Sequence, residues 1–298
     1  MLDQCFMTYI QVTYPQICQN DEFLMFADDT CLTFLGDNLE TLTERVNQRL
    51  YEVADWCRFN KLSLNPSKCC YMLITPRIIQ SDPLVTLYDQ PLSRVKTTKY
   101  LGIQVDDNLK FQSQIESLEV KFSRQCGISY RLRDRFHTTS AKCFYYSCVY
   151  SVITYCLCVW GGALLTSHRA DRLSVIHGKI LRNIFRGSRT NDSVFVEHEI
   201  LKLQDVYKFY VGVYMYKVIV LESCPSLASN LSLRYPDHRY STRSRNNLIP
   251  SFPRIEALRQ NYIHQFSKIW NEIPNEIKQS RSLRSFKKSY KNHLLSNY

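Results

Sequence analysis

The chain has 298 residues, a formal net charge of +11, 45% apolar residues and 13% aromatic ones. That composition excludes a disordered, collagen-like or low-complexity chain, and the length leaves room for one or two globular cores. The charge is uneven: residues 1–150 hold 16 Lys+Arg against 17 Asp+Glu, and residues 151–298 hold 22 against 10, which suits a nucleic-acid partner for the second half. Twelve cysteines follow no regular spacing, and the first residues, Met1-Leu-Asp-Gln-Cys-Phe-Met, have neither a basic start nor an apolar core. The expectation is an intracellular protein with reduced thiols, nucleus or cytoplasm not resolved.

In chain order, residues 1–22 show neither periodicity, with Pro15, Asn20 and Asp21 as interruptions, and no element is expected there. The apolar runs Phe23-Leu-Met-Phe26 and Thr30-Cys-Leu-Thr-Phe-Leu35 are each long enough for a strand and flank Asp28 and Asp29. A hairpin is expected, with both carboxylates projecting from its tip. Adjacent carboxylates stay ionised together only where a cation lies between them, and hard oxygen ligands on a rigid hairpin suit Mg²⁺. Asp-Asp is also ordinary type I′ turn chemistry, and on this stretch alone both readings stay open.

Gly36 ends the second strand, and Asp37 with Glu40 reads as a capping box that opens a helix. Leu39, Leu42, Val46, Leu50, Val53 and Cys57 recur at steps of three and four as its apolar stripe; Arg45, Arg49 and Glu52 lie off it, towards solvent. Asn65-Pro66 is a turn, and residues 69–75 return as a strand with Lys68 at its entry. Residues 84–105 read as paired strands. The first turn falls at Asp89-Gln90, where Gln suits a positive φ poorly, so a wider or different turn is expected. In Tyr100-Leu101-Gly102-Ile103, Gly102 either marks a bulge or lets another backbone approach closely.

From Phe111 the pattern is helical, with Phe111, Ile115, Leu118 and Phe122 on one face and Arg131, Arg133 and Arg135 at the end. Residues 143–167 hold no charged side chain, but three Ser, two Thr, four Tyr and Gly161-Gly162 favour a buried helix to about Trp160 over a membrane span. Cys156 and Cys158 with His168 and His177 have poor spacing for zinc. Helices are expected at 171–186 and 197–221. Residues 234–254 are irregular and basic with Tyr235 and Tyr240 interleaved, which suits phosphates and stacked bases or a solvated linker. Leu283, Phe286, Tyr290 and Leu294 make the stripe of a last helix with Arg284, Lys287, Lys288 and Lys291 around it. On charge, Arg239, Arg243, Arg245, Lys287, Lys288 and Lys291 are the candidate phosphate contacts.

Five motifs occur in a particular order: Phe26-Ala-Asp28-Asp29, Leu62-Ser-Leu-Asn-Pro-Ser-Lys68, Lys99-Tyr-Leu-Gly-Ile-Gln-Val-Asp106, Tyr240-Ser-Thr-Arg-Ser-Arg-Asn-Asn247 and Phe266-Ser-Lys-Ile-Trp-Asn-Glu-Ile-Pro274. This order resembles the reverse transcriptases of retrotransposons without long terminal repeats, the jockey-like group above all. The resemblance implies an α+β fold: a partial polymerase palm with an antiparallel sheet over residues 1–108, a thumb-like helical region over 109–190 and a basic helical region over 191–298. It implies Asp28 as chief ligand of catalytic Mg²⁺ with Asp29 as partner, Lys68 as proton donor to the leaving pyrophosphate, and Tyr100, Leu101 and Gly102 as the primer grip. The implied partners are an RNA template, a DNA primer and deoxynucleotide triphosphates, with no membrane.

Two departures matter. Tyr9-Ile-Gln-Val-Thr-Tyr-Pro15 stands where the family has a Y-I-N-D-L-P-like turn after a palm helix. The fingers, the motif with the first catalytic aspartate and the endonuclease are expected upstream of Met1. The chain is therefore expected to be the C-terminal part of such an enzyme, inactive by itself. The alternatives are a non-enzymatic nucleic-acid-binding remnant and a membrane-anchored protein using residues 143–167.

Overall fold

A computed structural model describes residues 5–11, 22–26, 29–185, 191–223, 247–249 and 262–298. The chain divides into two units, Met1–Ser113 and Gln114–Tyr298. Among the described residues, strands are confined to the first: β1 (Cys5–Gln11), β2 (Glu22–Phe26), β3 (Asp29–Leu35), β4 (Cys70–Ile74), β5 (Thr86–Leu87), β6 (Gln90–Pro91), β7 (Ser93–Arg94), β8 (Thr97–Tyr100) and β9 (Ile103–Asp106). The architecture is thus a mixture of helix and strand.

The main sheet has the order β2-β3-β1-β4-β7. It is mixed, which corrects the expected antiparallel sheet: β1 runs parallel to β3 and β4, β4 parallel to β7, and only β2 is antiparallel, to β3. Parallel strands need a crossover, and the helix α1 (Leu39–Phe59) supplies it between β3 and β4. β1 also overturns the expectation that residues 1–22 form no element. Its backbone pairs on both sides, and such non-local pairing overrides a weak local pattern.

The α1 stripe packs as the periodicity predicts. Leu42, Val46, Leu50, Ala54 and Cys57 are buried against Leu32 and Phe34 of β3 and Tyr71 and Leu73 of β4. A fully buried Leu or Val of this kind contributes about 1.5–3 kcal/mol. The expected capping box is corrected: Asn38, not Asp37, is the N-cap, and its Oδ1 accepts from the Glu40 N–H at 2.8 Å. Asn38 has the extended backbone that a cap needs, at φ −111°. On the same helix Asn47 donates to the Leu84 carbonyl and accepts from the Thr86 N–H, both at 2.9 Å, so it fastens the entry to β5.

Both small hairpins turn on two residues with positive φ. The first turn is Tyr88-Asp89 (φ 51° and 59°), one residue earlier than expected, with Leu87 opposite Gln90. The shift leaves Gln90 in a strand, where it needs no positive φ. The second is Leu101-Gly102 (φ 44° and 84°), with Tyr100 opposite Ile103. Gly102 thus serves a tight turn and not a bulge.

The second unit is helical among its described residues. The helix α2 (Gln112–Leu132) buries Ile115, Leu118 and Phe122, as expected, whereas Phe111, expected on the same face, precedes the helix at φ 53° and is half-buried. The uncharged stretch is not one helix to Trp160. Thr138–Thr154, with a π-turn at Tyr145–Tyr150, is followed by Cys156 at φ 48° and then by Leu157–Thr166, bent by 53°. The Tyr155 carbonyl, released by the break, accepts from the Trp160 indole at 2.8 Å. No single helix among the described residues is long and apolar enough to cross a membrane; this bent pair passes by length and composition only. Tyr145, Val149, Ile153, Leu157 and Trp160 are buried in the protein. His177 is a core histidine, 3.2 Å from the Tyr145 hydroxyl, and burial pushes it down to about 3.

The two helices expected at 171–186 and 197–221 lie at His168–Ile184 and Leu203–Ile219. Leu203–Ile219 is the centre of this unit and packs on Tyr262–Glu272 and Leu283–Leu295. Tyr216 stacks on Phe286 at 4.4 Å between ring centres, and Trp270 lies beyond it at 6.4 Å. Gly212 makes the approach possible, since a Cβ there would run into the Tyr290 ring and meet Ile273 at 3.0 Å. Asn271 holds the Leu248 backbone by two hydrogen bonds, of 2.8 and 3.0 Å, and Lys278 donates to Asn247 Oδ1 at 2.9 Å. The motif ending at Pro274 thus holds the residue that directly follows the motif ending at Asn247.

Three stability measurements follow. Gly212→Ala should lower unfolding free energy by about 1–3 kcal/mol through overpacking. Gly127→Ala, in mid-helix with nothing within 4 Å of the added carbon, should raise it by about 0.5–1 kcal/mol. Lys278 is buried, and desolvation pushes it down from 10.5 to about 8. Between those pH values the unfolded chain holds the proton and the folded chain does not. Stability relative to Lys278→Met should therefore rise as pH goes from about 8 to 10.5.

Candidate functional site

The acidic hairpin is present. β2 and β3 pair antiparallel from Glu22↔Thr33 to Phe26↔Asp29. Asp28 lies outside the described residues. Asp29 is the first residue of β3 and half-buried. Alternation along β3 puts Leu32 and Phe34 on the α1 side, so Asp29 and Cys31 share the other face.

Tyr100, at the end of β8 beside the Leu101-Gly102 turn, lies near this face. Its phenol is pushed up first by burial, then by the negative charges of Cys31 and Asp29. Two hairpins some seventy residues apart in sequence thus place Tyr100 within electrostatic reach of Cys31 and Asp29. Below the turn, Asp106 is buried and accepts from the Gln112 N–H at 2.7 Å and from the Ser113 hydroxyl, which ties β9 to the start of α2. Burial and two donors hold this end of the hairpin in place.

Lys68 is exposed and ends a 3₁₀ turn, Pro66–Lys68, capped by Asn65, whose Oδ1 accepts from Ser67 N at 3.1 Å. β1 pairs Cys5 with Asp29 and Met7 with Cys70, so β3 and β4 start at the same end of the sheet. Lys68 therefore precedes β4 at the Asp29 end of the sheet, with β1 between the two strands. The structure places Lys68 at that end of the sheet. Lys287 and Lys288 are exposed on Leu283–Leu295, and Lys291 Nζ lies 4.0 Å from Glu199. Arg239, Arg243 and Arg245 lie outside the described residues.

Cys31 is the neighbour that sequence reading missed. Its position two residues after Asp29 on a strand was the available signal. As to a metal, no group of three His, Cys, Asp or Glu side chains gathers among the described residues. The carboxylate of Asp29 is a hard oxygen donor suited to a divalent cation, whereas the Cys31 thiol beside it is not.

By sequence the chain is similar to RNA-directed DNA polymerases of mobile elements, as its motif order implies. It is 23% identical over 236 residues to the "Probable RNA-directed DNA polymerase from transposon X-element" of Drosophila melanogaster, a match that covers 76% of this chain and 25% of that protein. It is 27% identical over 162 residues to the "RNA-directed DNA polymerase from mobile element jockey" of Drosophila funebris (53% of this chain, 17% of that protein). A third relative is the "Probable RNA-directed DNA polymerase from transposon BS" of Drosophila melanogaster, 24% identical over 167 residues, covering 53% and 18%. The chain thus spans a quarter or less of the length of these relatives. No family model and no solved structure matches it.

The Tyr100 environment is testable. In ¹³C-tyrosine NMR, Asp29→Asn should lower the Tyr100 pKa by removing a negative charge beside the phenolate. Part of the elevation should remain, because burial is the larger cause. A titration unchanged by the substitution would separate the two hairpins.

Proposed function

We propose that this chain is the C-terminal part of an RNA-directed DNA polymerase of a mobile element without long terminal repeats. Residues 1–108 serve as part of the palm, 109–190 as the thumb and 191–298 as a basic C-terminal region. One observation carries the reading: Asp29, the first residue of β3, lies within electrostatic reach of Tyr100 of the Tyr-Leu-Gly hairpin, in a chain whose relatives are polymerases. Asp28 and Asp29 are the residues that would hold a divalent cation, Mg²⁺ by the preference for hard oxygen. Bound there, it would neutralise phosphate charge. Tyr100, Leu101 and Gly102 position the primer strand, and Lys68, on the same end of the sheet, is the proton donor for leaving pyrophosphate. The nucleic acids are an RNA template and a DNA primer, extended by deoxynucleotide triphosphates. Arg239, Arg243, Arg245, Lys287, Lys288 and Lys291 supply phosphate contacts.

The test is metal-dependent stabilisation. With free Mg²⁺ at ten times its dissociation constant, the gain is about 1.4 kcal/mol, a melting temperature roughly 3–5 °C higher. The double variant Asp28→Asn/Asp29→Asn should lose that rise; an equal rise in both proteins would sink the assignment. On a primed RNA template the 298 residues alone should give no extension. Robust extension that Asp28→Asn abolishes would make them a complete enzyme.

A further inference from the structure

The helix Leu283–Leu295 buries Phe286, Tyr290 and Leu294, leaves Arg284, Lys287 and Lys288 exposed and half-buries Lys291. At 100° per residue, Lys287, Lys291, Arg284 and Lys288 fall in that order within an arc of about 100°. Ser289 and Asn292, exposed hydrogen-bonding groups, continue the outer surface. No Asp or Glu occurs between Ile277 and Tyr298. The carboxylate near this face is Glu199, 4.0 Å from Lys291.

A face that served only solubility would mix signs, because opposite charges three and four residues apart support a helix. Here the pairs 284/287, 284/288, 287/291 and 288/291 are all like-charged and each destabilises the helix slightly. Arg284 also sits in the first turn, which has no acidic residue and where the helix dipole favours anions. Such an arrangement is relieved by a polyanion. Two of the helix's three rings are engaged in the core, Phe286 against Tyr216 at 4.4 Å and Tyr290 against Phe209 at 6.1 Å, and the third, His293, falls about 170° from the centre of the basic arc. The outer face therefore has no ring on which bases can stack, and stacking is what single-strand binding uses.

We infer that the outward face of Leu283–Leu295 binds the phosphate backbone of a double-stranded nucleic acid, with Arg284, Lys287, Lys288 and Lys291 as the contacts. This deepens the polymerase reading by giving the basic C-terminal region a duplex partner. It depends on that reading for the nucleic acid but not for the carboxylate pair.

The experiment uses the full chain, a fluorescent 20-base-pair RNA–DNA duplex and its single strands, with anisotropy titrations across a range of KCl concentrations. Replacing all four cations by Gln should weaken duplex binding at least tenfold at low salt. The slope of log K against log salt should become shallower by about 2 to 3.6, for two to four lost contacts at 0.9 each. Lys287→Arg/Lys288→Arg/Lys291→Arg, which keeps the charge, should bind like wild type, and both variants should keep the wild-type helical content. A slope change below one overturns the inference, as does a loss confined to single strands. Face-dependent binding to phosphatidylserine vesicles without duplex binding overturns it in favour of a membrane. The Asp28→Asn/Asp29→Asn protein should bind duplex with the wild-type slope, so failure of the metal assignment shows up separately.

Discussion

Backbone pairing of β1 with both β3 and β4 is the constraint on which the first unit depends. β3 carries Asp29 at its start, β4 follows Lys68, and neither pairs with the other. Parallel alignment of each to β1 puts both starts at one end of the sheet. α1 then has to cross over, and its apolar stripe covers the face that Leu32, Phe34, Tyr71 and Leu73 present. What remains at the Asp29 end is the opposite face, which holds Asp29 and Cys31 and lies near Tyr100. The chemistry proposed for the site is a by-product of that pairing.

The second unit solves a different problem, the packing of large aromatic residues around Leu203–Ile219. Gly212 removes the one side chain that would keep Tyr290 at a distance. Trp270 sits against Phe286, and its neighbour Asn271 takes the Leu248 backbone as a β-strand partner would. The Trp-Asn pair of the motif at 266–274 is thereby explained by two jobs, filling the core and satisfying a buried backbone. Lys278 continues the clasp to Asn247 at the cost of desolvating an amine. Core packing and chain tethering thus use adjacent residues.

Much of this was legible from the residues alone. The pairing of the two apolar runs around the Asp pair, the α1 stripe, the buried face of α2 from Ile115 on and the buried side of the last helix are local patterns of period 2 or 3.6, and each appears where the pattern put it. The motif order pointed to the polymerases that the sequence relatives turned out to be. Net charge by half of the chain was likewise a property of composition.

Tertiary structure decided the rest, because the deciding forces act between residues distant in sequence. β1 is a strand through partners at 29–35 and 70–74, not through its own pattern. The turn at Tyr88-Asp89 is set by the register of Leu87 with Gln90, and a tyrosine at positive φ is held there by Arg58 over its ring at 5.4 Å. Cys156 breaks the uncharged helix at a left-handed residue that no propensity marks. The electrostatic reach of Asp29 to Tyr100 joins residues about seventy positions apart, which no local pattern sets. Local sequence sets which side chains share a face; only long-range pairing sets which faces meet.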